Sequence, residues 1–402
     1  MPSGPRSIAI IGGGIGGLSA ALCLLKVGFD VHVYERAKAL REAGGGIVIS
    51  PNATCVLHHL GFGKDLASLG VRPSAWHQRR WEDGRTLLRT PLTEAAIEAF
   101  GFPHYQCHRG DVQAILAAAL PPERLHVGYR INALNDRGDL VEARFENGAI
   151  VTADVLVGAD GIHSTVRRLL FGPDNPRFTG CVVYRGLVAA REVEHLNLET
   201  TMQIWMGPGK HFVHYFVRSA ELLNFGCFVE QDFWTNESWT ERGDIADVRT
   251  AYEDWHPQVR GILESANEVF IWALLDRPPL AHWSIGRVTL LGDACHPMLP
   301  FMAQGAAQAI EDGATLAACL KQAAFDIPVA FRTYVALRKP RATAVQERSR
   351  ALSTSFHLHD GPQQRERDHT FATLGVRGSP DAMNRLYGYD AEVATATLEE
   401  QG

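Results

Sequence analysis

Five glycines fall within the six positions 12–17 (GGGIGG), directly after an apolar run and ahead of a helix-forming one. Each costs conformational entropy on folding, so the run implies a backbone that turns tightly and admits something bulky against itself. Gly12, Gly14 and Gly17 match the spacing G-x-G-x-x-G. The chemistry this suits is anion binding. At a strand-to-helix turn the first helical N–H groups lack partners and the helix end carries partial positive charge, a seat for a pyrophosphate. Glu35, followed by Arg36, ends the next expected strand, where a carboxylate can accept hydrogen bonds from the ribose of an adenine dinucleotide. These residues point to a dinucleotide and leave NAD and FAD open.

Two further glycine turns carry polar residues. In VLVGADGIHSTVRRLL (155–170) a strand leads to Asp160-Gly161 and then a helix bearing Arg167 and Arg168. In VTLLGDACHPMLPFMAQGAAQAIEDG (288–313), Gly292-Asp293 follow a strand, Pro297 stiffens the loop, and Gln304-Gly305 precede a helix from Ala306. Each alone also reads as an ordinary turn. In GKHFVHYFV (209–217), alternation along a strand puts His211, Val213 and Tyr215 on one face and Phe212 and His214 on the other. Both polar residues also read as members of a half-buried sheet. The seven cysteines are odd in number and contain no C-x-x-C pair. Cys295 beside His296 cannot furnish a metal site alone, and His58, His59, His104 and His108 read as surface or satisfied histidines, so no metal is expected.

The elements that must position these residues follow from the apolar patterns. Strands are expected at Ile8–Ile11, Val31–Tyr34, near Val127, Leu140–Phe145, Val155–Val157 and Val288–Leu291. Helices are expected over Leu18–Val27, near Asn52–Leu60, from Asp111 just after Arg109, and over Ala306–Lys321. Asp83-Gly84 marks a hairpin within 76–90. Alternating aromatic and β-branched residues from Cys181 to Ile271 predict a mostly antiparallel sheet interrupting the nucleotide-binding fold. After about residue 351 the chain turns polar and is expected to wander before an ordered piece near 385–390 (RLYGYD). With 402 residues, 46% hydrophobic and 21% charged, the chain has an ordinary globular composition. A net charge of −6 gives no footprint for nucleic acid or an anionic membrane surface. The start MPSGPRSIAI lacks a secretory leader pattern. The expected location is therefore the cytoplasm, without stable membrane association.

Together, GGGIGG with Glu35, GADG and GDACHP resemble the three-part signature of the single-component FAD-dependent aromatic hydroxylases, the p-hydroxybenzoate-hydroxylase-like flavoprotein monooxygenases, over residues 7–345. GGGIVISPNA, CHRGDVQAIL, GADGIHSTVR, KHFVHYFV, YEDWHPQV and MAQGAAQAIEDG are similar to the salicylate, 3-hydroxybenzoate and 6-hydroxynicotinate hydroxylase branch. The resemblance implies an α/β fold. A discontinuous Rossmann-like FAD-binding domain of the GR2-type, three-layer kind (1–75, 106–180 and 276–350) would be interleaved with a mostly antiparallel β-sheet substrate domain (76–105 and 181–275). A helical, polar tail (351–402) would follow.

The resemblance also implies tightly held FAD, NADH or NADPH as a transient co-substrate, and hydroxylation of a phenolic or N-heteroaromatic ring with O2 through a C4a-hydroperoxyflavin. The partners are then a small aromatic substrate and O2, and a homodimer is allowed. Gly12, Gly14 and Gly17 would cradle the pyrophosphate, with Glu35 and Arg36 at the adenosine end. Arg109 would contact the ribityl–phosphate stretch and Asp293 the ribityl chain, with Gly292 and Pro297 shaping that loop. Asp160 and Gly161 would lie near the phosphates and the nicotinamide approach. Backbone N–H groups around Gly305 and Ala306 would face the flavin N1–C2=O edge, where a helix N-terminus stabilises negative charge. His211 and Tyr215 match the branch's catalytic pair, and a histidine that titrates near neutrality can take a phenolic proton. Relatives place histidines where this chain has Val48 and Phe301, and a glutamine near Pro300, so the substrate pocket is expected to be less polar here. A carboxylate-bearing substrate would need another cation. Arg185 is the candidate, and a structural role for it is the equal alternative. Two other readings are a larger natural-product substrate and a non-hydroxylating FAD redox protein.

Overall fold

A computed structural model describes residues 6–40, 45–232, 234, 241–374 and 380–399. The strand Ser7–Ile11 is buried from Ile8 onward without alternation, as expected of a parallel strand covered on both faces. It is central to a six-stranded sheet whose order is Ser284–Ile285, Val288–Leu290, Val155–Gly158, Ser7–Ile11, Asp30–Glu35, Leu125–Val127. Its pairing is parallel on both sides, and the register sets Ile11 beside Gly158 and Gly158 beside Leu290. All three glycine turns therefore leave the sheet at one edge, the carboxyl ends of adjacent strands, where open α/β sheets bind ligands.

The helix Ile15–Lys26 lies against the helix Gly305–Gln322, and small residues bring them close. A Cβ at Gly313 would sit 2.7 Å from the Ala20 Cα, and one at Gly16 2.9 Å from the Ala309 Cβ. Ile15 already begins the first helix, three residues before the expected Leu18, because the last glycines of the run lie inside it. Likewise Arg109 itself opens the helix Arg109–Ala118, expected from Asp111.

The second unit is an eight-stranded sheet in the order Arg242–Gly243, Val269–Asp276, Arg177–Ala189, Leu222–Glu230, Lys210–Val217, Met202–Gly207, Ala75–Arg80, Thr86–Pro91. All its pairings are antiparallel except that of Met202–Gly207 with Ala75–Arg80. The hairpin over Asp83-Gly84 is present. One face buries Trp205, Phe212, Phe225 and Tyr252 beneath the helices Ile245–Ala251 and Pro257–Ser265. The other buries Tyr215 and Phe228 together with Val48, Phe301 and Phe356.

The C-terminal stretch departs from the sequence expectation. A helix runs unbroken over Ile327–Phe356, through position 351, and the helices Pro362–Leu374, Pro380–Tyr387 and Ala391–Glu399 follow. Phe356, Phe371, Leu386 and Tyr387 are buried on the second face of the large sheet. Burial of these few side chains supplies the stabilisation that the polar composition hides.

Candidate active site

At the first turn, Gly12 has φ +117°, and a Cβ there would meet the Ala159 carbonyl oxygen at 2.4 Å. A Cβ on Gly17 would fall 2.0 Å from the Gly12 oxygen. Both glycines are demanded by the chain's own packing. Gly14 is different: a Cβ there meets nothing within 4 Å, and its φ of −74° and ψ of 175° suit any residue. It is the N-cap of Ile15–Lys26, with no side-chain cap and no acidic residue in the first turn. The helix end is thus open to an outside anion, and the cradle that a Cβ would fill lies in front of it. Glu35 braces the loop by accepting from the N–H groups of Gly13 (2.7 Å) and Ala37 (2.8 Å). Gln113 Nε2 donates to the Gly13 oxygen (2.7 Å). Arg36 is exposed beyond the strand end.

Asp160 lies against the Gly12 turn, its Cα 3.0 Å from where a Gly12 Cβ would be. Its carboxylate accepts from Ser164 Oγ (2.5 Å) and from the N–H groups of Thr165 (2.7 Å) and Val166 (3.1 Å), capping the helix Thr165–Phe171. Gly161 follows with open space beside it. Arg109 and Asp293 both reach solvent-accessible surface. Protein nevertheless hems them in: burial lowers the Arg109 guanidinium and raises the Asp293 carboxyl, and each charge partly offsets the other's shift. Side chains that are accessible and yet desolvated suit the lining of a ligand channel. Along it follow the buried Pro297 and the uncapped N-terminus of Gly305–Gln322, whose first residues, Gly305 and Ala306, are half-buried. An open anion cradle at one end, a cation and an anion facing each other midway, and a second free helix end fit a dinucleotide that carries a polyol and an anionic ring.

A buried ionic cluster holds the channel floor. Asp312 Oδ2 accepts from Gly292 N (2.9 Å) and pairs with His296 Nε2 (2.6 Å), while Arg338 Nε donates to Asp312 Oδ1 (2.7 Å). Glu311 takes Arg338 and Arg341 on its oxygens, and Asn52 Nδ2 donates to it at 2.5 Å. Asn52 also reaches Gln304, the N-cap of the second free helix. Against burial, Asp312 holds His296 well above the usual imidazole range. Asp312 joins Cys295 and His296 in one group, but its oxygens are engaged by Arg338, His296 and the Gly292 N–H.

On the other side of the channel, the strand Lys210–Val217 turns His211 and Tyr215 to one face, with half-buried Val213 between them. Four residues of strand separate the two by about 13 Å. The pair therefore stands at two separate points of one sheet face rather than forming a contact. The His211 ring stacks on Phe228, its cross-strand neighbour, at 4.1 Å and 13°, and lies 5.2 Å from Phe301. Burial, reinforced by His357, drives its imidazole well below the usual range, so it stays neutral. Tyr252 Oη donates to the backbone oxygens of His211 (2.9 Å) and Phe228 (3.1 Å), fixing both strands.

The Tyr215 ring packs so tightly on Gly46 that a Cβ there would approach Cε2 at 2.5 Å and Oη at 2.7 Å. Burial raises its phenol, and the nearby Arg185 pulls the other way. Arg185 lies 4.7 Å over the Trp272 ring, and no carboxylate among the described residues pairs with it. Val48 and Phe301 are buried and apolar, and Pro300 opens the short turn Pro300–Met302 beside them.

Two residues that sequence reasoning passed over join this site. His357 Nε2 lies 2.7 Å from His211 Nδ1, and its own Nδ1 lies 3.1 Å from Glu230 Oε1. Nothing local marks His357, which stands 146 residues beyond His211.

The chain is similar to known proteins over almost its whole length. The sequence profile of the FAD binding domain family matches residues 6–349. A 3-amino-4-hydroxybenzoate 2-monooxygenase of Streptomyces platensis is 41% identical over 387 residues, covering 96% of each chain. A 6-hydroxynicotinate 3-monooxygenase of Pseudomonas fluorescens is 39% identical over 86% of this chain and 90% of its own. Among solved structures, a salicylate hydroxylase substrate complex has a TM-score of 0.83 at 26% identity, covering 98% of this chain and 97% of that one.

Proposed function

The chain belongs to the FAD binding domain family and is an FAD-dependent aromatic monooxygenase, and we propose that its substrate is a benzoate carrying a ring hydroxyl, with NADH or NADPH as reductant. When bound, FAD supplies the redox chemistry: it accepts electrons from the nicotinamide and activates O2. This chain's residues bind, orient and exclude water. In this reading Gly12, Gly14 and Gly17 seat the pyrophosphate on a free helix end, and Glu35 and Arg36 lie at the adenosine. Asp160 and Gly161 support the phosphate side. Arg109 and Asp293 line the ribityl stretch, Gly292 and Pro297 shape its loop, and the N–H groups of Gly305 and Ala306 meet the flavin ring. The cofactor unit takes in 1–75, 106–180 and 276–350. The substrate unit takes in 76–105 and 181–275, and 351–402 is a helical, polar tail.

At the substrate, the neutral His211 accepts the proton of the ring hydroxyl, because an electron-rich phenolate attracts the electrophilic oxygen better than the phenol. Tyr215, kept protonated, offers a donor at the opposite end. Val48, Pro300 and Phe301 wall the ring and keep water out. No helix among the described residues is long and apolar enough to cross a membrane. The seven cysteines are buried thiols, none of them in a disulfide, which supports a place in the reducing cytoplasm.

The observation that carries the substrate class is Arg185, an enclosed cation beside Tyr215 and over the Trp272 ring, paired with no carboxylate among the described residues. An enclosed guanidinium without a carboxylate is costly unless a ligand supplies one. The relatives named above act on ring acids. The test compares 3-amino-4-hydroxybenzoate with 2-aminophenol, the same ring without the carboxylate, in Arg185→Met. Losing two charge-assisted hydrogen bonds, about 1.5–3 kcal/mol each, should raise KM for the acid by at least about 100-fold and barely change that for the phenol. Equal losses on both compounds would remove Arg185 as the anchor.

A further inference from the structure

Of the two nitrogens of His211, Nδ1 faces His357, and Nε2 is engaged by no group among the described residues. His357 is itself buried, and its second nitrogen meets Glu230, whose side chain is 54% exposed. An unbroken line of hydrogen-bonding atoms thus runs from the His211 ring to bulk solvent through a wall otherwise made of Phe228, Phe301 and Phe356.

The backbone fixes this line. Gly209 N donates to the His357 oxygen (2.9 Å), and Glu230 N donates to the Gly209 oxygen (3.0 Å). The turn before the His211 strand, the end of the long helix and the end of the Leu222–Glu230 strand are therefore pinned together. Other titratable or charged groups around the line are few. His359 and Cys181 lie beside Glu230, and Arg367, ion-paired with Asp368, sits on Met206, the cross-strand partner of His211.

We propose that His211, His357 and Glu230 form a proton relay that carries the ring-hydroxyl proton of the bound substrate out to solvent, with His357 and Glu230 acting through His211 as positioning and relay residues. The proposal rests on the hydroxybenzoate reading above. In the resting relay His211 holds its proton on Nδ1 and His357 on Nδ1, so each donates outward. The substrate O–H bond breaks as a bond forms from that proton to His211 Nε2. The Nδ1 proton of His211 passes to His357 Nε2, and the Nδ1 proton of His357 passes to the Glu230 carboxylate and on to water. One proton enters, one leaves, and no electrons move. The reverse transfer restores the tautomers when product leaves. Without such a line a buried imidazole that took the proton would be left as an unpaired cation among aromatic rings, a costly state.

The experiment mixes FAD-loaded enzyme with 3-amino-4-hydroxybenzoate in weakly buffered solution and follows proton release with an indicator dye by stopped flow, in the wild type and in Glu230→Gln and His357→Gln. Glu230→Gln alters a largely exposed side chain and keeps the fold. Proton release should slow at least about 10-fold in both variants, with substrate affinity and FAD content unchanged. Added imidazole should restore the rate in Glu230→Gln, which a merely structural role would not allow. Release at the wild-type rate in both variants overturns the relay, even if turnover falls. If the wild type oxidises no NAD(P)H with this compound or any other hydroxybenzoate, the substrate reading fails first and takes the relay with it.

Discussion

Gly14→Ala separates cofactor recognition from folding in a way no other glycine of the run allows. The new methyl meets no protein atom within 4 Å, and the backbone angles already suit alanine. Two opposing effects act on the apoprotein. Restricting the unfolded chain stabilises by about 0.4–1 kcal/mol, while alanine is a poorer N-cap than glycine by about 1 kcal/mol. They nearly cancel, so the apoprotein Tm should move by less than about 2 °C. With FAD the methyl occupies the cradle in front of the helix end, and forcing the pyrophosphate outward resembles overpacking, at about 1–3 kcal/mol. That corresponds to a Kd about 5- to 150-fold weaker. The assay is reconstitution of apoprotein with FAD, read by flavin fluorescence, alongside calorimetric melting. Gly17→Ala is the comparator. Its methyl would lie 2.0 Å from the Gly12 oxygen, so it should lower the Tm of the apoprotein itself. A Gly14→Ala protein with wild-type FAD affinity would refute the placement of the pyrophosphate at this turn.

Two further outcomes follow from the buried charges. His211→Gln should retain FAD and lower the hydroxylation rate by about 10²- to 10⁴-fold. In the wild type, because the folded imidazole titrates well below 6.5, the acid limb of kcat/KM should lie below that pH; a limb at or above it would contradict a neutral buried base. By the same sign, an unfolded histidine binds a proton below about 6.5 that the folded one refuses, so stability contributed by His211 falls as pH drops through that value. Asp312→Asn should cost about 3–5 kcal/mol, because it leaves Arg338 and His296 buried without their shared anion. Although burial opposes it, His296 and Arg338 hold the Asp312 carboxyl down to about 2. The stability that it adds is therefore complete above about 4 and lost as pH falls toward 2, and the acid unfolding curve of Asp312→Asn should lack that portion. A variant as stable as the parent would show that the cluster does not hold the Gly292–His296 loop.

The cofactor half was legible in the sequence because its information is local. A backbone that must turn and be approached needs glycine at fixed spacing, and the parallel register that sets Ile11, Gly158 and Leu290 side by side turns three separate signals into one edge. The alternation that put His211 and Tyr215 on a common face was equally local. What stayed hidden was pairing over distance. Nothing in GGGIVIS says that Gly46 is glycine because the Tyr215 ring lies on it, and nothing near position 357 announces a partner for His211. The polar stretch after 351 misled for a related reason. Phe356, Phe371, Leu386 and Tyr387 are too sparse to read as a helix stripe until the sheet face that they cover is known. A family can thus share the cofactor signature while each member's substrate wall is assembled from distant, individually unremarkable residues. The same chain illustrates the difference: Gly12 and Gly17 answer to the local turn, whereas in the proposed reading Arg185, His357 and Glu230, distant in sequence, answer to the ring and its proton.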